Sequence, residues 1–141
     1  IPRNAEVGVM PVEFGAGRAG YYFDGKKEDT FGNGLPDDLG IKNEADMVGL
    51  LGRGEDMFNV HCAICHGKSG NGKGVVSHHL GQVGVGVPSL YNYPQETSPD
   101  GYIYEVISNG KGLMGGYKHN LPVRDRWAIV SYIRALQASA K

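Results

Sequence analysis

Apolar and polar positions along the chain mark three helices of unequal quality. The clearest covers residues 122–136, where Trp127, Ile129, Val130, Tyr132, Ile133 and Leu136 make a wide apolar stripe. Pro122 suits the first turn, because a residue there needs no partner for its N–H. A second helical period begins after Asn43, whose side chain can cap a helix. Glu44 and Asp46 then place acids in the first turn. The period continues through Met57, Phe58 and Val60. Gly52 and Gly54 each weaken a helix by about 1 kcal/mol. The expectation is therefore a helix imperfect over residues 49–54 and continuous over residues 53–63. Gly54 and Phe58 fall on one face, four apart. A glycine there lets another helix approach, and the ring fills the crossing, with Ile129 and Tyr132 as its expected partners. A third, shorter helix is signalled by Ser98-Pro99-Asp100, runs through Tyr102, Ile103, Val106 and Ile107, and stops at Asn109-Gly110. Residues 81–86 mix valine with glycine and read as loop, since glycine weakens strands.

Composition sharpens this picture. Glycine supplies 23 of 141 residues, more than twice the usual share of about 7%. That argues against a bundle or a coiled coil and for short helices joined by long, tightly turning loops. No apolar run approaches the roughly 18 residues that a membrane span needs. The net charge of −1 hides an asymmetry. Residues 1–60 hold 6 Lys/Arg against 11 Asp/Glu, and residues 61–141 hold 8 against 4. The basic half has no arginine-rich run or aromatic-basic repeat, which excludes nucleic acid as a partner. It is enough to steer docking toward an acidic protein surface.

The two cysteines carry the chemistry. They stand in Cys62-Ala63-Ile64-Cys65-His66. Two thiols on one helical turn can each add to a vinyl group of a protoporphyrin, and the next residue sets an imidazole under the iron. The spacing therefore predicts one covalent c-type haem held by Cys62, Cys65 and His66. A thioredoxin-like pair would want a βαβ context, and a structural zinc site would want four ligands. Neither is visible.

The iron also needs a sixth ligand or an open site. Met57 and Met47 share the segment that delivers His66, and Met10 sits in the acidic leader. Met114 lies in Gly110-Lys111-Gly112-Leu113-Met114-Gly115-Gly116-Tyr117, whose glycines let backbone lie against a porphyrin. Met114 is the expected ligand, and His78, His79 and His119 are the alternatives. A metal-bound histidine usually donates its other ring N–H to an acceptor. Pro88, in Val87-Pro88-Ser89-Leu90, is a candidate source of that carbonyl.

These residues together resemble the class I cytochrome c family over about residues 48–138. Within that family the chain is similar to the monohaem cytochrome c subunit of bacterial alternative complex III and to oxygen-reductase-associated cytochromes c. It rests on Asn71-Gly72-Lys73-Gly74, Pro88-Ser89-Leu90, Asp100-Gly101, residues 106–110 and residues 124–136. The resemblance implies an all-α cytochrome c fold and a one-electron carrier rather than an enzyme. It also implies a periplasmic site on the outer face of the inner membrane, a quinol-oxidising complex as donor and a haem-copper oxidase as acceptor. Lys68, Lys73, Lys111 and Lys118 are expected around the exposed haem edge, and Trp127, Tyr91, Tyr93 and Tyr117 are candidates for holding propionates. A haem enzyme or gas sensor with a displaceable sixth ligand, and a domain cut from a larger oxidase subunit, are the alternatives.

Class I domains usually begin just before the first helix, whereas here 47 residues precede Val48. Tyr21, Tyr22, Phe23 and Phe31 lie in that stretch, and disordered leaders are usually poor in aromatics. Residues 1–47 are thus expected as an ordered extension wrapping a cytochrome domain of residues 48–141. The start at Ile1 is the expected look of a processed product, with a lipid anchor and membrane association left open.

Overall fold

The computed structural model describes residues 12–139. In chain order they form α1 (Tyr21–Asp24), a ribbon of β1 (Lys26–Lys27) and β2 (Thr30–Phe31), α2 (Glu44–His61), α3 (Ala63–His66), α4 (Val75–Gln82), α5 (Asp100–Asn109) and α6 (Val123–Ser139). Single 3-10 turns occur at Val12–Phe14, Asp37–Leu39 and Leu90–Asn92. The architecture is helical apart from the ribbon, as the glycine content and periodicity imply. Met10 and the rest of residues 1–11 lie outside the described residues.

α2 and α6 cross at the centre of the core. Asn43 caps α2, its Oδ1 accepting from the Asp46 N–H at 2.9 Å. The helix is continuous through Gly49, Gly52 and Gly54, which corrects the expected imperfection. Tertiary packing overrides propensity here, because a Cβ on Gly54 would run into the Ala128 carbonyl of α6. Phe58 is fully buried at the same crossing, its ring 5.4 Å from that of Tyr132. Burial of such a side chain contributes about 1.5–3 kcal/mol. Arg53 Nε and Nη2 grip both oxygens of Asp125 at 3.0 and 2.9 Å, closing the edge of the crossing.

α2 ends at His61, before the expected residue 63. Cys62, at φ −112° and ψ −35°, separates it from α3. α4 has no counterpart in the sequence reading, and Gly81 and Gln82 close that helix rather than opening a loop. Pro99 precedes α5, its carbonyl accepting from the Ile103 N–H at 3.2 Å. Ser98 makes no capping bond there.

The segment ahead of α2 packs onto α5 and α6. Trp127 is fully buried, stacked on Tyr104 at 4.4 Å with Tyr21 at 5.2 Å from its ring. Its indole N–H donates to the Tyr22 carbonyl at 2.7 Å. The Tyr104 hydroxyl donates to the Phe23 carbonyl at 3.1 Å. Gly25 meets Gly101 backbone to backbone, and a Cβ on either would strike the other's carbonyl oxygen. The ribbon turns at Glu28 and Asp29, both with positive φ, as tight hairpins require. Farther along, the buried Asp100 carboxylate binds Arg134 Nε at 2.6 Å and accepts from the Gly34 N–H at 2.8 Å.

Candidate functional site

Cys62, Cys65 and His66 occupy a single turn. The Cys65 and His66 N–H groups both donate to the Cys62 carbonyl, at 3.2 and 2.9 Å, so the two thiols and the imidazole share one local frame. Both cysteines are free, Cys62 buried and Cys65 half-buried. Burial pushes the Cys62 thiol up to about 12, and the neighbouring Cys65 adds to the effect. The Cys62 sulfur is therefore held as a protonated, neutral thiol at physiological pH.

His66 is half-buried. Burial, the larger effect, lowers its pKa, while the adjacent Pro88 backbone raises it. The imidazole is thus held toward the neutral form, the one that ligates metals. Its Nδ1 is buried and makes no hydrogen bond of good geometry. A buried polar atom without a partner is uncommon in a native fold and calls for an explanation.

Glycines bring Pro88 to this turn. The Gly72 N–H donates to the His66 carbonyl at 2.7 Å, and the Leu90 N–H to the Gly70 carbonyl at 2.7 Å. Gly72 has φ +82°, and a Cβ there would lie 2.7 Å from the Val87 carbonyl oxygen. A Cβ on Gly74 would strike the Ile64 carbonyl. Only glycine allows residues 67–74 to sit flat between α3 and the Pro88 segment.

Met114 follows α5 in a tight turn. Lys111 and Met114 exchange backbone hydrogen bonds at 3.1 and 3.0 Å, and Met114 is half-buried. The returning strand of chain lies along α5, with the Tyr117 N–H on the Ile107 carbonyl at 2.8 Å and the Lys118 N–H on the Ser108 carbonyl at 3.0 Å. Tyr117 ties this segment to the cysteine turn. Its hydroxyl donates to the His61 carbonyl at 3.2 Å, and its ring is 5.4 Å from that of His61. Burial raises the Tyr117 pKa, with Cys62 and Cys65 adding to the rise. His61 did not stand out in the sequence. Its only signal was its place beside Cys62.

Other candidates lie elsewhere. Met47 lines a groove of about 710 Å³ with Leu35, Leu51, Tyr91, Val130 and Arg134. None of Cys62, Cys65, His66, Pro88 and Met114 borders that groove. His78 and His79 are exposed on α4 with rings 5.6 Å apart, and His119 is exposed. Trp127 spends its only N–H on Tyr22, which removes it as a propionate donor. Tyr91 donates to the Ser69 carbonyl. Lys68, Lys73, Lys111 and Lys118 are all exposed. Among the described residues no cluster of three or more His, Cys, Asp or Glu could hold a bare metal ion.

The donor set of two thiols and one neutral imidazole on a single turn fits a c-type haem, and the unpartnered Nδ1 agrees with a group being held at this turn. Comparison with known proteins points the same way. Residues 49–133 match the family model described as "Cytochrome C oxidase, cbb3-type, subunit III". The chain is similar to cytochrome c-L of Methylorubrum extorquens, 28% identical over 97 residues, which cover 68% of this chain and 45% of that protein. Among solved structures it is similar to cytochrome cL of Hyphomicrobium denitrificans, at 30% identity and a TM-score of 0.46 over 62% of this chain and 48% of that one. It is also similar to cytochrome CL of Methylophaga aminisulfidivorans, at 26% identity and 0.47 over 62% and 55%. The chain thus spans about half the length of these relatives. With more than half of its length matched, and the cysteine–histidine turn inside the matched region, the chain belongs to the cbb3-type cytochrome family and is a class I c-type cytochrome.

Proposed function

We propose that this protein is a one-electron carrier built on a single covalent haem c, attached at Cys62 and Cys65 and ligated by His66 and Met114. The observation that carries this reading is the turn itself: two free thiols and a neutral imidazole with a buried, unpartnered Nδ1. Bound there, the haem supplies a reversible one-electron couple, with its potential set by axial ligands and burial. The polypeptide fixes the ligands. The Cys62 carbonyl fixes the backbone of His66, the Pro88 backbone lies beside its ring and raises its pKa against the larger effect of burial, and the Lys111–Met114 turn fixes the backbone of Met114. Tyr117 ties the Met114 segment to the end of α2 through the His61 carbonyl.

The test is a visible spectrum of both oxidation states with a redox titration. One haem per chain, a red-region sulfur-to-ferric-iron band, and loss of that band with a lowered potential in Met114→Ala support the reading. A colourless protein, or a Met114→Ala variant with an unchanged spectrum, overturns it.

Redox proteins are the partners this reading requires. A quinol-oxidising complex as donor and a haem-copper oxygen reductase as acceptor suit the family, which is named for an oxidase subunit. The same name, with the partial span of the relatives, favours as a second reading a domain of a larger oxidase assembly. A periplasmic location accords with having no cysteine outside the haem motif, since stray thiols are a hazard in an oxidising space. Among the described residues no helix is long and apolar enough to cross a membrane. Of the expected extension of residues 1–47, the part from residue 12 acts as a wrap on the cytochrome domain that begins at residue 48, supported by the carbonyls that Phe14, Tyr22 and Phe23 give to α5 and α6 side chains.

A further inference from the structure

Arg126 is a buried cation that none of these roles uses. It is 2% exposed, and among the described residues it makes no salt bridge. Its donors go only to neutral oxygens. Nε donates to the Leu121 carbonyl at 2.9 Å. Nη1 donates to the Tyr104 hydroxyl and to Ser108 Oγ, each at 3.0 Å. Nη2 donates to the Phe14 carbonyl at 2.7 Å, with the Lys118 carbonyl at 3.4 Å. These acceptors belong to three separate pieces of chain. Lys118 and Leu121 continue the segment that carries Met114, Tyr104 and Ser108 belong to α5, and Phe14 belongs to the amino-terminal extension.

A guanidinium is a planar fork, so the oxygens it holds are fixed relative to one another. The Met114 turn is closed by its own paired bonds to Lys111 and by the close backbone approach at Gly110 and Gly116. What anchors its far side to the body of the protein is the backbone pairing of Tyr117 and Lys118 with α5 and the Arg126 fork. Removing the Phe14 carbonyl would leave Nη2 only its long 3.4 Å contact with the Lys118 carbonyl and free the fork to shift.

We infer that Arg126 is a positioning residue for the Met114 segment, and that the Phe14 carbonyl in the extension holds Arg126 in that position. The extension thereby sets how firmly the sixth ligand stays in place. This rests on the reading of Met114 as an iron ligand.

The test compares haem-loaded proteins lacking residues 1–11, which keep Phe14, with proteins lacking residues 1–15, which do not. Arg126→Gln, Arg126→Lys and Arg53→Ala complete the set. Two quantities are read: the affinity of the ferric form for added imidazole, which competes with Met114, and amide hydrogen exchange over residues 110–121. Loss of Phe14, or Arg126→Gln, should tighten imidazole binding about tenfold, the effect of one charge-assisted hydrogen bond, and speed exchange in that segment. Arg126→Lys should fall between Arg126→Gln and the parent. Arg53→Ala breaks the α2–α6 ion pair away from this segment and should lower stability with imidazole affinity within about twofold of the parent. Equal imidazole affinity and exchange in the two truncated proteins overturns the inference, as does an Arg53→Ala effect as large as that of Arg126→Gln. Should Arg126→Gln fail to fold, the truncated pair decides alone. A parent lacking the red-region sulfur band overturns the Met114 assignment instead, and hydrogen exchange then still decides whether the fork holds the segment.

Discussion

Gly54 lies against the backbone of Ala128, so close that α2 and α6 touch main chain to main chain with no room for a methyl group. This contact sets the distance between α2, which leads into the cysteine turn, and α6. Gly54→Ala improves helix propensity by about 1 kcal/mol yet must separate the helices. Overpacking costs of about 1–3 kcal/mol then prevail, more so because the obstacle is backbone. Guanidinium unfolding should show a net loss of stability, and an unchanged midpoint would contradict the close approach.

The Asp100–Arg134 pair gives a second prediction. The Asp100 side chain is only 6% exposed, and Arg134 also donates to the Tyr93 carbonyl at 2.7 Å. Arg134→Met strands a buried carboxylate and should cost about 3–5 kcal/mol. Replacing both partners by apolar residues of similar size should cost much less. A double-mutant cycle by chemical denaturation separates these outcomes.

Stability should fall in alkali through the buried phenols. Burial, the largest effect, raises Tyr104 to about 12, and burial with the Asp100 charge raises Tyr21 to about 12. The unfolded chain releases these protons near pH 10 while the native state keeps them. The neutral phenols thus contribute stability that is complete below pH 10 and is lost as pH rises toward 12. Denaturation midpoints taken from pH 9 to 12 should fall, and Tyr104→Phe should flatten the slope. Phenolate absorbance of the native protein should show a group that titrates late.

Gly72→Ala tests the link between Pro88 and His66. At φ +82° a side chain costs about 1–2 kcal/mol, and the new Cβ would press on the Val87 carbonyl. The expected result is reduced stability together with a shifted midpoint potential. A variant with lower stability and the parent's potential would mean that the Pro88 segment does not act on His66.

The parts of this molecule legible in its sequence are those whose causes are local. Asn43 and its following acids mark the start of α2, the apolar stripe from Trp127 to Leu136 marks α6, and Asn109-Gly110 ends α5. The cysteine–histidine turn reads at once because its chemistry demands that spacing. α4 escaped notice because Gly74 offers no capping side chain and paired valines with an internal glycine make a poor helix signal. The need for glycine at position 54 of α2 comes from Ala128, 74 positions away. The fork of Arg126 depends on Phe14, 112 positions away. Nothing near either residue in the chain announces such a partner.

The meeting of Gly25 with Gly101 bears on any attempt to exchange parts between cytochromes of this kind. A chimera that joins a foreign leader to residues 48–141 would have to bring its own carbonyl for the Trp127 indole and a bare backbone opposite Gly101. The front and the body of this protein are cut to one another, and neither is a module to be swapped alone.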